Sequence, residues 1–175
     1  MKKIIFCVVF LFVLSGCSFG SPTGCVYDPE ELMMNMDDYL WFDFALYNEF
    51  EKFSAFTDED FKKISNENPL VFAPVGTVFA KCQEIHVYLT NRFKNYKCDS
   101  ELNEKFDIYL KTLDENYKAN EALYNSLTKN SIDAKVFSSN MLELKKVRDR
   151  FFIVNNDVLK EVIKQNFNIG LYNYY

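Results

Sequence analysis

The side chains best suited to chemistry are Cys82 and His86, which lie four residues apart in one apolar-periodic segment. On a helix this spacing places both on one face, where a thiolate and an imidazole could hold a metal ion. Two ligands are too few for a closed metal site, and His86 is the only histidine of the chain. A buried structural histidine is therefore the favoured interpretation, and we expect no metal.

Other catalytic patterns are incomplete. Gln83-Glu84-Ile85-His86 departs from the Glu-x-x-His pattern of di-iron bundles, because Gln83 occupies the glutamate position. No spacing selects a methionine as a haem ligand beside His86; the candidates are Met33, Met34, Met36 and Met141. The sequence contains no G-x-S-x-G, no G-x-G-x-x-G and no P-loop. We therefore expect no cofactor and no enzymatic activity.

The elements that position these residues are helices. Apolar residues recur at spacings of three and four after residue 28, and no strand alternation persists over four residues. Asp28 and Thr57 are capping residues at the start of two such segments. The pattern predicts helices over residues 28–54, 57–66, 74–96, 100–127 and 137–154. A loop is expected at residues 69–73, and a kink or stop at Asn155-Asn156-Asp157 before a last short helix.

The two long segments over residues 100–127 and 137–154 are joined by a short turn at Lys129-Asn130-Ser131. Matched helices with a short connection pack as an antiparallel hairpin. The predicted fold is all-α, an up-down bundle of four to five helices in one domain over residues 28–168. Residues 169–175 form an aromatic tail.

The first helix is unusually rich in aromatic residues. Its aromatic side chains cover more than one stripe, so the helix is either central in the domain or partly exposed to a partner. The candidate partner-binding residues are Trp41, Phe42 and Phe44.

The charges are unevenly distributed along the chain, whose net charge is −5. The segment from Asp28 to Asp60 has 11 acids and one base, whereas the chain from Phe61 on has 17 bases and 14 acids. Internal pairing is favoured over an acidic face for a basic partner. The obvious counterparts are Lys145, Lys146, Arg148 and Arg150. Nucleic acid is an unlikely ligand, because an acidic chain repels phosphate.

The first seventeen residues form a distinct segment with three parts. Met1-Lys2-Lys3 is a short basic start, Ile4 to Leu14 is an apolar run, and Leu14-Ser15-Gly16-Cys17 follows. This order resembles the export signal and lipobox of bacterial lipoproteins. The resemblance implies removal of residues 1–16 and acylation of Cys17. Eleven apolar residues span ~16 Å, too short for a hydrocarbon core of ~30 Å, so a transmembrane helix is disfavoured.

The lipoprotein resemblance also implies a location. Residue 18 is serine, whereas aspartate at that position favours inner-membrane retention in Gram-negative lipoproteins. We therefore expect the periplasmic face of the outer membrane, with the bilayer as a partner through acylated Cys17. Residues 17–27 form a short acylated tether. A plain secretory signal is the alternative.

After processing, the thiols of Cys25, Cys82 and Cys98 remain, in an oxidising compartment. Cys82 and Cys98 are ~24 Å apart along one helix, beyond the ~7 Å that a disulfide spans. Antiparallel first and third helices bring Cys25 and Cys98 to one end of the bundle. This predicts a Cys25–Cys98 bridge and a buried Cys82 thiol; three free thiols are the alternative.

Together these features favour a non-enzymatic envelope adaptor or structural protein, anchored to a bacterial membrane and binding another envelope protein. One alternative is a helical module that holds a small apolar ligand or lipid between its helices. Another is a surface or defence factor.

Overall fold

The structure, a computed structural model, describes residues 28–96, 100–128 and 132–167, in which all regular structure is helical. A 3-10 turn, Pro69–Phe72, lies within the connection predicted at residues 69–73. The five α-helices are α1 (Pro29–Glu51), α2 (Asp58–Glu67), α3 (Ala73–Phe93), α4 (Ser100–Leu127) and α5 (Ala134–Phe167). The predicted all-α bundle is confirmed.

The four long helices α1, α3, α4 and α5 form a ring in which each runs antiparallel to both neighbours. Arg92 near the end of α3 bonds Glu31 at the start of α1, at 3.0 Å. Lys105 near the start of α4 pairs with Glu161 near the end of α5, at 3.1 Å. The α4–α5 pair has the most extensive contact, so the predicted antiparallel hairpin is present.

Helix α2 lies in the α1–α3 connection and closes one end of the bundle. A capping box starts it, in which Thr57 and Asp60 bond each other's backbone N–H groups. Its single buried residue is Phe61, whose ring contacts those of Phe53, Phe56 and Phe137. Burial of one such ring contributes about 1.5–3 kcal/mol. One aromatic anchor therefore holds a short, otherwise polar helix on the core.

Of the kink or stop predicted at Asn155-Asn156-Asp157, the stop is wrong, because α5 runs without interruption from Ala134 to Phe167. Asn155 is fully buried, and Val158 and Val162 continue the buried stripe of the helix. Packing against the neighbouring helices therefore outweighs the weak local preference of asparagine for turns. The helix begins at Ala134, after the turn predicted at residues 129–131, and Asp133 accepts bonds from the N–H groups of residues 135 and 136.

Cys82 is a free, fully buried thiol, as predicted. Burial raises its pKa to about 12. Cys17, Cys25 and Cys98 lie outside the described residues, as do the signal segment and residues 169–175, so acylation and the Cys25–Cys98 bridge stay predictions. None of the described helices has both the length and the apolarity needed to cross a bilayer.

Candidate interaction face on helices α1 and α5

Helix α1 has two chemically different sides. Its buried residues recur at spacings of three and four: Leu32, Met36, Tyr39, Asp43, Leu46 and Phe50. The opposite side lies in solvent and carries Trp41, which is 68% exposed, and Phe44, which is 54% exposed. These two rings are ~60° apart around the helix, so they form one apolar surface.

The third predicted partner-binding residue lies elsewhere. Phe42 is ~200° around the helix from Phe44, is half-buried and packs against the core. The structure therefore brings Trp41 and Phe44 together and assigns Phe42 to packing. The aromatic residues of α1 therefore have two roles: Phe42 packs against the core, and Trp41 and Phe44 form an exposed surface.

Helix α5 adds apolar residues that the sequence analysis missed. Leu142, Phe152 and Ile153 are 63%, 56% and 61% exposed. Leu142 and Ile153 lie on the side of α5 away from the core, and Phe152 lies on the edge towards α1. The helical periodicity of residues 137–167 was the available signal, because these three positions fall outside its buried stripe.

Two contacts show that helices α1 and α5 lie side by side. The rings of Tyr39 and Phe151 meet at 5.4 Å, and one turn further along α1 the Arg148 guanidinium bonds Asp43 at 2.6 Å. The Arg148 guanidinium also lies 6.0 Å from the ring centre of Phe44, and Phe152 is one turn further along α5. We call the surface made of Trp41, Phe44, Leu142, Phe152 and Ile153 the α1–α5 face.

The α1–α5 face is comparable in size to the largest apolar patch of a typical monomer. It holds five of the ten large hydrophobic side chains that are exposed in the described residues. An aromatic side chain presents about 150–250 Å², so the two α1 rings alone leave roughly 250 Å² in solvent. With the three α5 side chains the face falls within the ~300–600 Å² at which monomer patches are often functional.

The two halves of the α1–α5 face carry opposite charge. Helix α1 contains no lysine or arginine, and its outer side bears Glu30, Asp37 and Glu51. The outer side of α5 bears Lys135, Lys145 and Lys160. One acid, Asp149, lies among these lysines.

Beneath the α1–α5 face, on the inner side of α1, lies a buried polar layer. Asp43 accepts bonds from Arg148 Nε at 2.6 Å and from Asn120 Nδ2 at 2.8 Å. Tyr39 donates its hydroxyl to Asn116 Oδ1 at 2.8 Å. Arg148 also lies over the ring of Tyr47, 4.3 Å from its centre. The layer joins three helices and holds α1 and α5 in one register.

The expected pairing of early acids with later bases is present at two sites among the described residues, Glu31 with Arg92 and Asp43 with Arg148, and only the second involves one of the four expected bases of α5. Arg148 neutralises Asp43, which is only 2% exposed. Arg150 instead bonds Glu115 of α4, and Lys146 lies 3.7 Å from Glu143 of its own helix. Most acids of α1 are therefore not offset by the lysines and arginines of α5 within the molecule.

His86 lies between α3 and α4. Its ring stacks on Tyr117 at 4.2 Å, and its Nε2 atom is 3.8 Å from Asp114 Oδ1. Burial lowers the pKa of His86 below its ordinary value of 6.5, although the Asp114 and Glu121 carboxylates oppose this. No group of three or more possible metal-binding side chains occurs within the described ranges. The contacts place His86 in helix packing.

The fold and this face define a class, an up-down four-helix bundle with an exposed apolar face across two neighbouring helices. Compared with known proteins, the chain matches no family model, no curated protein and no solved structure.

Proposed function

We propose that this protein is a bacterial lipoprotein that acts as a non-enzymatic envelope adaptor or structural protein, and that its α1–α5 face binds a protein partner. The observation that carries the proposal is the clustering of Trp41, Phe44, Leu142, Phe152 and Ile153 on one face. Tryptophan and phenylalanine are enriched at protein interfaces, and tryptophan is among the residues that dominate binding energy.

The polar layer supports this use of the face. The bonds of Arg148 to Asp43 and of Asn120 to Asp43 fix α1 against α5 and α4. A face on two fixed helices binds without a large ordering penalty, because its backbone does not rearrange. The charged rims on both helices give such a surface orientation and partner selectivity.

The proposed anchor places the face near a membrane. With Cys17 acylated, residues 18–27 separate the lipid from α1, and ten extended residues reach at most ~35 Å. Because Ser18 follows Cys17, the proposed site is the periplasmic face of the outer membrane. A partner on the same membrane or in the adjacent periplasm is then within reach of α1.

The small-ligand alternative has less support in the structure. A groove of about 600 Å³ lies between residues 54–58 and the start of α5. Its lining includes apolar residues such as Phe56 and Leu142 as well as Thr57, Asp58 and Lys135, but it is open to solvent. Sites for small apolar ligands typically enclose most of the ligand surface.

Site-specific photo-crosslinking in the producing cell tests the adaptor proposal. A photoreactive residue replaces Trp41, Leu142 or Ile153 in separate full-length chains. The controls carry it at Val87 of α3 or Ile108 of α4, which are 52% and 46% exposed away from the face. We expect one defined protein adduct from the face positions and none from the controls. Equal labelling at all positions, or no adduct from the face, contradicts the proposal.

A separate variant tests the anchor. Cys17→Ala should move the protein from the membrane fraction to the soluble fraction after a high-salt wash, because it removes the acylated sulfur. Mass spectrometry of the unaltered protein should show a lipidated Cys17 as the first residue. Retention of Cys17→Ala in the washed membrane contradicts the anchor. The crosslinking result does not depend on the anchor and still tests the adaptor role.

A further inference from the structure

We infer that the partner of the α1–α5 face is a second copy of this chain, in a two-fold dimer whose axis runs parallel to the helices. The inference deepens the proposed function, on which it rests, by naming the partner of the same face. Two-fold dimers are the commonest closed assembly, and they require a surface that is complementary to itself. The opposite charges of the two halves meet that requirement.

The symmetry follows from the order of the helices. Viewed from outside, α1 and α5 lie side by side with the Asp43–Arg148 contact between them. A two-fold rotation about an axis along this seam places α1 of one copy opposite α5 of the other. Because α1 and α5 are antiparallel, the facing helices of the two copies are antiparallel too.

This arrangement pairs opposite charges twice. The Tyr39–Phe151, Asp43–Arg148 and Phe50–Phe137 contacts set the heights of the two helices. Glu30 of one copy is then level with Lys160 of the other, and Glu51 lies beside Lys135, whereas Asp37 lies about one turn from Asp149 and adds no pair. None of Glu30, Glu51, Lys135 and Lys160 forms an ion pair with another described residue. A dimer that paired α1 with α1 would instead bring acids together, which is unfavourable.

The apolar side chains meet in the same arrangement. Trp41 and Phe44 of each copy face the α5 half of the other, where Leu142 and Ile153 are exposed. Burial of this surface supplies the attraction at about 25 cal/mol per Å², and the charges fix the orientation. An axis along the helices also keeps the two α1 starts at the same end, so two acylated tethers could enter one bilayer.

Charge reversal tests the dimer with a pair of variants. The α1 variant is Glu30→Lys with Glu51→Lys, and the α5 variant is Lys135→Glu with Lys160→Glu. The matched control reverses Glu104 and Lys111 of α4, which are exposed away from the face. Each full-length chain carries one of two tags and is purified in mild detergent. Sedimentation gives the mass, and co-purification of the second tag gives the composition.

Unaltered protein and the α4 control should be dimeric. Each face variant alone should dimerise at least about tenfold more weakly, because like charges then meet in both contacts of the dimer. A mixture of the α1 and α5 variants should form a heterodimer as tightly as unaltered protein, because both contacts regain opposite charges. Combining all four reversals in one chain should restore the homodimer.

Monomeric unaltered protein overturns the inference. A variant mixture that fails to form heterodimers, while each variant keeps the helical circular dichroism spectrum of the unaltered chain, overturns it too. If the crosslinked adduct at Trp41 then has the mass of a different protein, the adaptor proposal stands and the second copy is excluded. If Trp41 gives no adduct of any kind, both proposals fail.

Discussion

Asp43 and Phe44 are consecutive residues of α1, but the charged side chain is the buried one and the apolar side chain is the exposed one. The carboxylate of Asp43 is buried, 2% exposed, whereas the ring of Phe44 is 54% exposed. Asp43 is stabilised by an arginine and an asparagine, so its burial serves the register of the bundle. Burial on folding stabilises the Phe44 ring only a little, because more than half of it remains in solvent. The comparison shows that the inner side of α1 specifies the structure and the outer side is available for binding.

The largest effect should come from breaking the inner side. Asp43→Ala leaves the Arg148 guanidinium, which is four-fifths buried, without its carboxylate, so the free energy of unfolding should fall by about 3 kcal/mol. Urea denaturation followed by circular dichroism measures it. Asp37→Ala, on the outer side, is the control and should change the value by less than about 0.5 kcal/mol. Equal urea midpoints for both variants would refute the role assigned to the layer.

The amides of the core should respond in opposite directions. Asn120→Leu should destabilise by about 1–3 kcal/mol, because Asn120 donates to both Asp43 and Asn116. Asn155→Leu should stabilise by about 1 kcal/mol, because both amide atoms of Asn155 are buried without a hydrogen-bond partner among the described residues. The same urea titration measures both. Destabilisation by Asn155→Leu would show that this amide is hydrogen-bonded in the folded protein.

His86 offers an intermediate case, half-buried between α3 and α4. Its pKa is lowered in the folded protein, so below pH 6.5 the unfolded chain binds the proton more readily. Stability should therefore fall as pH drops from 7 towards 5, and His86→Gln should reduce that fall. Thermal unfolding at both pH values measures it. The same pH dependence in His86→Gln and in the unaltered protein would place the titrating group elsewhere.

The smallest effect on stability is expected on the outer side. At concentrations where the chain is monomeric, Trp41→Ala should change the free energy of unfolding by less than about 0.5 kcal/mol, since its ring is 68% exposed. Phe50→Ala, a fully buried ring on the same helix, should cost about 3–5 kcal/mol. Partner binding should show the reverse order: Trp41→Ala should abolish the adduct formed by a photoreactive residue at Leu142 or Ile153. A large loss of stability in Trp41→Ala would assign that ring to folding instead.

Much of the fold could be predicted from periodicity and capping. Three features depend on residues that are close together in the sequence: the start of α1 at the Asp28 cap, the Thr57 capping box, and the facing helices α4 and α5. The Asn155 position could not be predicted, because its local preference opposed the packing of a helix that extends beyond it. Half of the candidate face was also missed, since exposure on α5 shows only once the neighbours of α5 are known.

The sequence by itself determined the helices and their apolar stripes, because spacings of three and four and capping residues act within a few turns of chain. It also carries the lipobox resemblance at Cys17. The tertiary structure alone decided that α1 lies beside α5, that Arg148 of one reaches Asp43 of the other, and that Trp41 and Phe152 share a surface. These contacts join residues about a hundred positions apart, and no local pattern records which helices become neighbours.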